Sequence, residues 1–230
     1  MDKIWTVIPA GGRGQRFGSA QAKQYQSLLG RPVLAHAIAS FLGEERIAGV
    51  QLVLPGEDLG AVADRLLPPV VGGAERADSV RLGLEALLAQ GALGQDWVLV
   101  HDAARPCLRS QDLHALLDAL PESPQGALLA VPVADTLKRE EAGHSLGTVD
   151  RHHLWRALTP QAFPLGSLLS ALTHAKKQAL PITDEASAME QEGWRPRLIR
   201  GHSDNLKITY PDDLELAAAI LAAREMGGAA

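Results

Sequence analysis

Pro9-Ala10-Gly11-Gly12-Arg13-Gly14-Gln15-Arg16 directly follows a short apolar run of Ile4, Trp5, Val7 and Ile8, and Lys23 stands a little further on. Glycine reaches backbone angles closed to other residues. With no side chain in the way, its N–H groups can approach phosphate oxygens. Two cations behind such a turn, Arg16 and Lys23, supply charge that a triphosphate requires. A plain tight turn is the competing reading of the glycines alone. Two better-known loops do not fit. The dinucleotide fingerprint asks for a third glycine where Phe17 stands, and the Walker loop asks for a Gly-Lys-Ser/Thr ending that the chain lacks.

Asp102 follows the apolar run Trp97-Val98-Leu99-Val100-His101. Ligands of open α/β sheets bind beyond the carboxyl ends of the strands. A carboxylate there can reach a hydrated magnesium ion bridging phosphates, although a turn aspartate would also serve to cap local backbone. Gly72-Gly73-Ala74-Glu75-Arg76-Ala77-Asp78-Ser79 joins a strand end to a helix start, where free N–H groups carry partial positive charge. Its alternative is a capped helix with Arg76 and Asp78 merely solvated. Thr159-Pro160-Gln161 and Thr183-Asp184-Glu185 read as polar helix starts, which are usually simple caps. Asp204 and Lys207 fall at the edge of an expected strand near Leu206, either as metal and phosphate ligands or as a surface ion pair. The eight histidines show no metal-binding spacing, and Cys107, the only cysteine, reads as a packing residue.

The elements that must hold these residues alternate. Strands are expected at 4–8, 50–54, 70–71, 97–101 and 127–133, and near Arg197 and Leu206. Helices are expected at 33–42, 58–67, 75–89, 110–120 with Ser110 as cap, 165–178 and 184–192, and from Pro211 to just before Gly227. This order predicts an α/β fold, a mostly parallel sheet with helices on both faces. Residues 135–151 break the rhythm. They are polar with Gly143 and Gly147 near the middle, as in a hairpin or arm, or equally in a surface loop.

The chain has 230 residues, of which 46% are hydrophobic, enough for one large folded domain across 1–230 with no linker. A net charge of −5 argues against a broad nucleic-acid surface. No apolar run approaches a membrane span, and the first residues lack the apolar stretch of a signal peptide, so the cytoplasm is the expected compartment.

Taken in order, Pro9-Ala10-Gly11-Gly12-x-Gly-x-Arg16, Lys23-Gln24-Tyr25, Gly72-Gly73-x-x-Arg76-x-x-Ser79-Val80, His101-Asp102-Ala103-Ala104-Arg105-Pro106, Val131-Pro132-x-x-Asp135-Thr136, Asp150-Arg151, Leu158-Thr159-Pro160-Gln161, Ile182-Thr183-Asp184-Glu185 and Asp204-Asn205-x-Lys207 resemble the 2-C-methyl-D-erythritol 4-phosphate cytidylyltransferases, over about residues 4 to 220. The resemblance implies a Rossmann-like nucleotidyltransferase fold and a homodimer formed through a protruding β-arm, about 135–151. It implies CTP and methylerythritol phosphate as substrates, with magnesium, in the non-mevalonate isoprenoid route. It further implies that Pro9, Ala10, Gly11, Gly12, Gly14, Gly73, Ser79, Asp102 and Ala103 bind the nucleotide. Arg16, Lys23 and Lys207 would be catalytic cations. Arg105, Thr136, Arg151, Thr159 and Thr183 would line the sugar-phosphate site, and Asp102 and Asp204 would meet the metal. Ala22 stands where the family usually has proline, and Ala74 where some relatives have aspartate. The alternatives are a cytidylyltransferase for another polyol phosphate such as ribitol 5-phosphate, a non-catalytic nucleotide-binding protein, and a nicotinamide dehydrogenase, which the missing third glycine disfavours.

Overall fold

The computed structural model describes residues 2–12, 17, 22–56 and 65–227. Apolar β-branched residues make β1 (Ile4–Pro9), β4 (Ile47–Leu54), β5 (Val70–Val71) and β6 (Trp97–Val100), which run parallel in the order β6-β1-β4-β5. On the other side of β6 the sheet continues through β10 (Trp155–Pro164), β7 (Ala127–Pro132) and β11 (Arg197–Arg200). Only β10 runs antiparallel to its neighbours in this seven-stranded sheet of the described residues. The expected mostly parallel α/β fold is therefore what forms, with β10 as its antiparallel exception.

Helices cover both faces because the inner strands β1, β4, β6 and β7 bury side chains on both sides. Against one face pack α1 (Val33–Leu42) and α3 (Ser110–Ala119), with Phe41, Leu52, Leu99, Leu116 and Leu129 in one cluster. Against the other lie α2 (Arg76–Ala89), α4 (Leu165–Lys177) and α5 (Glu185–Gln191), with Val7, Leu84, Val100, Phe163 and Met189. Gly83 lets α2 sit on the sheet, since a Cβ there would fall 2.7 Å from Val7 and 2.9 Å from Val53. A third cluster joins α6 (Asp212–Gly227) to Leu28, Val33 and Cys107.

Several boundaries differ from the sequence reading. The strand expected at 50–54 begins three residues earlier, at Ile47. The helix expected at 58–67 falls mostly outside the described residues, and its end is not helical, since Leu66 makes a parallel bridge with Val50. Ser110 is the first helical residue of α3, and Arg109 holds the cap position without a side-chain hydrogen bond. No strand forms around Leu206, which lies in a loop that follows a turn at residues 203–204. A small ribbon of β2 (Ser27–Leu28) and β3 (Arg31–Pro32) was not anticipated.

The largest miss is β10. Thr159-Pro160-Gln161 is not a helix start but lies inside this ten-residue strand. Proline is tolerated within sheets where pairing is interrupted. Ala157 pairs with Ala130 and Gln161 with Leu128, so three residues, 158–160, arch over the space opposite Leu129. Gln161 then clamps the strand to α5 by donating to Asp184 Oδ2 at 2.8 Å and accepting from the Ala186 N–H at 2.8 Å.

The segment 135–151 is a hairpin of β8 (Leu137–Glu141) and β9 (His144–Val149), with the turn at Ala142 and Gly143 at positive φ. Its residues are almost all exposed, including Leu137 and Leu146.

Candidate functional site

Three parallel strands end at one cleft. The turn after β1 contributes residues 9–12, the turn after β5 contributes Gly73 and the start of α2, and the turn after β6 contributes residues 102–104. Lys23 and Lys207 close its rim. Hydrogen bonds pin the turns to the sheet, Ala10 N–H to the Val53 carbonyl at 2.7 Å and Gly72 N–H to the Leu54 carbonyl at 2.7 Å. Gln24 is buried and donates to the carbonyls of Ala10 at 2.6 Å and Gly12 at 3.0 Å, fixing the first turn from behind.

The glycines serve differently from the first expectation. Neither Gly11 nor Gly12 adopts positive φ. Among the described residues, a Cβ at Gly12 would meet nothing within 4 Å. At Gly72 and Gly73 the demand is steric. A Cβ would fall 2.7 Å from Ser79 Oγ or 2.4 Å from Asp78 Cβ, because the turn presses against α2. Ser79 Oγ accepts from the Gly73 N–H at 3.2 Å and holds that turn closed. Gly14 and Arg16 lie outside the described residues.

A second recess opens beside the first, lined by Arg105, Thr159, Gln161 and Thr183. Arg76, Asp102 and Lys207 line both and form the wall between them. Asp102 is the focus of that wall. Its Oδ1 accepts from Arg76 Nε at 3.0 Å, and its Oδ2 lies 2.9 Å from Lys207 Nζ and 3.4 Å from Arg105 Nε. Burial opposes ionisation of this carboxyl, but Arg76, Lys207 and Arg105 outweigh it and hold its pKa well below the ordinary value. Arg76 also grips Glu185 with two parallel bonds of 2.6 and 3.1 Å. Burial works against its charge, yet Glu185 and Asp102 raise its pKa. Arg105 is buried and donates to the Asn205 carbonyl at 2.7 Å. Burial lowers its pKa and Asp102 offsets only part of this.

Behind the wall sits His101, fully buried, 5.0 Å from the Phe41 ring centroid. Burial lowers its pKa to about 4, so the ring is neutral. Thr159 Oγ1 lies 3.0 Å from its Nδ1 and accepts from the Asp102 N–H at 3.1 Å.

Arg76, Glu185 and Gln24 are the residues the sequence reading missed as parts of this site. In the sequence Arg76 stands only within the turn before α2, with solvation as its alternative, and Glu185 only within a polar helix start. For that helix the cap is Asp184, whose carboxylate accepts from the Ser187 N–H at 2.9 Å.

Asp204 requires a correction. It does not line the cleft; its carboxylate is engaged by Arg109 at 2.5 Å and Arg224 at 2.9 Å. Burial opposes its ionisation, and these two guanidiniums overcome that and lower its pKa. The surface pair with Lys207 does not form either, since Lys207 meets Asp102; the two arginine pairs instead tie Asp204 to α6 and to the residue before α3. Among the described residues no cluster of three or more His, Cys, Asp and Glu stands ready for a metal.

Thr136 and Arg151 do not line the cleft or the second recess. Arg151 lines a separate recess at the root of the hairpin, with His152 and Trp155. Cys107 is fully buried beneath α6, and burial pushes its thiol up to about 11. A thiol reagent at pH 8 should therefore leave it unmodified in the folded protein and label it once after denaturation. Labelling of the native protein at the rate of a free thiol would contradict this packing. No helix among the described residues is long and apolar enough to cross a membrane.

Comparison with known proteins is consistent along the whole chain. The family model described as IspD, 2-C-methyl-D-erythritol 4-phosphate cytidylyltransferase, matches residues 4–223. A relative of that name from Acidithiobacillus ferrooxidans is 70% identical over 99% of this chain and 100% of its own. One from Pseudomonas fluorescens is 50% identical over 92% of this chain and 93% of its own. Among solved structures, a 4-diphosphocytidyl-2C-methyl-D-erythritol synthase is 40% identical with a TM-score of 0.81, covering 96% of this chain and 100% of its own. The Thermus thermophilus cytidylyltransferase is 30% identical with a TM-score of 0.81, over 96% of this chain and 100% of its own.

Proposed function

The chain belongs to the 2-C-methyl-D-erythritol 4-phosphate cytidylyltransferase family, and from that premise we propose that the two joined recesses are the CTP half and the methylerythritol phosphate half of one site. The reaction joins CTP and 2-C-methyl-D-erythritol 4-phosphate and gives 4-diphosphocytidyl-2-C-methyl-D-erythritol and pyrophosphate, a step of isoprenoid synthesis. The observation that carries the assignment of the halves is the shared wall. The glycine turns, Ser79 and Lys23 lie on one side of Asp102, Arg76 and Lys207, and Arg105, Thr159 and Thr183 on the other.

The chemistry is a meeting of two polyanions. A phosphate oxygen of the polyol attacks the α-phosphorus of CTP, and the bond to the bridging oxygen breaks as pyrophosphate leaves. No protein nucleophile is needed, and no general base, because a phosphate monoester is already mostly ionised at neutral pH. The work of the protein is alignment and charge compensation. Lys23, with Arg16 by its place in the sequence, faces the triphosphate. Lys207, at the junction, is placed to leave Asp102 and follow the charge that passes between the substrates.

Asp102 fits a magnesium ion. It is one strongly ionised carboxylate at the cleft, and magnesium is commonly held by one or two carboxylates plus substrate phosphates. When bound, that ion would neutralise triphosphate charge. Asp204, which lines neither recess, is not part of this proposal.

Sharing of the site between two subunits is part of the reading. An isolated two-stranded hairpin is marginally stable in water. The hairpin here exposes Leu137 and Leu146, with Leu154 and Trp155 at its root. A second copy covering these surfaces would carry Thr136 and Arg151 toward its partner's second recess.

Pyrophosphate release, measured with CTP, ATP or GTP against methylerythritol phosphate or ribitol 5-phosphate, tests the assignment. Turnover is expected only with CTP and methylerythritol phosphate. Comparable rates with a purine nucleotide would overturn the base assignment, and comparable rates with ribitol 5-phosphate the polyol assignment.

A further inference from the structure

His101 touches neither recess, yet its two ring nitrogens fix the directions of a closed set of hydrogen bonds around Asp102. Nε2 lies 3.0 Å from the Arg105 carbonyl. A carbonyl only accepts, so Nε2 carries the proton. In the neutral ring Nδ1 is then bare and must accept. Its neighbour at 3.0 Å is Thr159 Oγ1, whose single proton is thereby spent on the ring. The hydroxyl lone pairs remain for the Asp102 N–H at 3.1 Å. Arg105 N–H closes the circle on the Asp102 carbonyl at 3.0 Å. The far side is held as well, with Asn205 Nδ2 donating to the Thr159 carbonyl at 2.8 Å.

We propose that His101 is a positioning residue for cytidylyl transfer: as the Nε2-protonated tautomer it orients the Thr159 hydroxyl, and through it the backbone that aims the Asp102 carboxylate at Arg76 and Lys207. The proposal rests on the functional reading above. A histidine that only filled space beside Phe41 would need neither nitrogen, whereas here each direction follows from the one before it. Turning the Thr159 hydroxyl would leave the Asp102 N–H facing a donor in a buried setting, where an unmet polar group is costly.

Two amides divide the ring's duties. Asn places its oxygen where Nδ1 sits and keeps the acceptor for Thr159. Gln places its nitrogen where Nε2 sits and keeps only the donor to Arg105. We therefore expect His101→Asn to hold kcat within about threefold of wild type. His101→Gln should lose about tenfold or more, the scale of one misdirected hydrogen bond. KM for CTP should stay within about twofold in both, and both should melt at similar temperatures. Nitrogen NMR of the uniformly labelled wild-type protein supplies a readout independent of turnover. The ring signal that vanishes in His101→Gln should show a bare Nδ1 and a protonated Nε2. The opposite tautomer overturns the proposal, as does wild-type kcat in His101→Gln, or equal losses in both variants that follow their loss of melting temperature. If the wild-type protein fails to use CTP at all, the functional reading fails, while the ring signal still decides whether the bond directions hold.

Discussion

Lys207→Ala should lower turnover by about 10²–10³-fold while leaving the melting temperature near that of wild type. Arg76→Ala should do damage of a different kind. Both cations hold the same carboxylate, but their surroundings differ. Lys207 is 39% exposed, and Asp102 keeps Arg76 and Arg105 when it is gone. Its contribution to the resting protein is that of a rim ion pair, worth little to stability. In the proposed reaction its contribution would be a mobile charge at the junction of the two phosphates. Arg76 is the sole cation on Glu185 among the ion pairs of the described residues, and Glu185 is 1% exposed. Removing Arg76 strands a buried carboxylate and weakens the hold on Asp102. Breaking such a pair costs about 3 kcal/mol, and in a chain of this size that lowers Tm by roughly 10 °C. Calorimetry and steady-state kinetics on the two variants separate the roles. Loss of folding without loss of rate in Lys207→Ala would remove it from the machinery. Unchanged melting in Arg76→Ala would mean that Glu185 finds water or another partner.

That contrast also marks where the sequence is legible. A site at the carboxyl ends of strands can be read because Gly72 and Asp102 follow apolar runs almost at once, and period and position together say where such residues point. The alternation of β1, α1 and α2 is equally open, since each buries one or two faces and carries its turn residues beside it. What pairs with Arg76 cannot be read locally. Glu185 lies 109 residues away, and only the clamp of Gln161 between β10 and α5 brings the two together. β10 itself hides because Pro160 and Gln161 interrupt its apolar pattern at the arch that presents Thr159 to His101. Asp204 was ambiguous for the same reason. Its partners, Arg109 ahead of α3 and Arg224 in α6, come from different elements, and an Asp-Asn-x-Lys string does not reveal whether the acid faces a ligand or two guanidiniums. The hairpin could be read as polar and glycine-bearing, but a surface that packs on nothing in its own chain carries no local signal of what would cover it.

Mixed dimers should decide that last point. Arg151→Ala and Lys23→Ala proteins are each expected to retain about 1% of wild-type turnover or less, the scale of a lost charge contact. Arg151 can grip a phosphate with two parallel donors, which lysine cannot. Lys23 lines the nucleotide recess, whereas Arg151 of the same chain lines a different one at the hairpin root. If the hairpin crosses to a two-fold partner, a dimer of one Arg151→Ala and one Lys23→Ala chain contains one site with both defects and one with neither. About half of wild-type activity should then return when the two chains, each with its own tag, are refolded together and the mixed species is isolated. If each subunit uses its own Arg151, every site carries one defect and nothing returns. The kinetics of the Arg151→Ala homodimer should agree, with KM for methylerythritol phosphate raised and KM for CTP nearly unchanged, because a crossing hairpin brings Arg151 only to the partner's second recess. Sedimentation at assay concentration should show a dimer. A monomer, or a mixed dimer as inactive as its parents, would return Arg151 to a surface role and leave the second recess to Arg105, Thr159 and Thr183 of one chain.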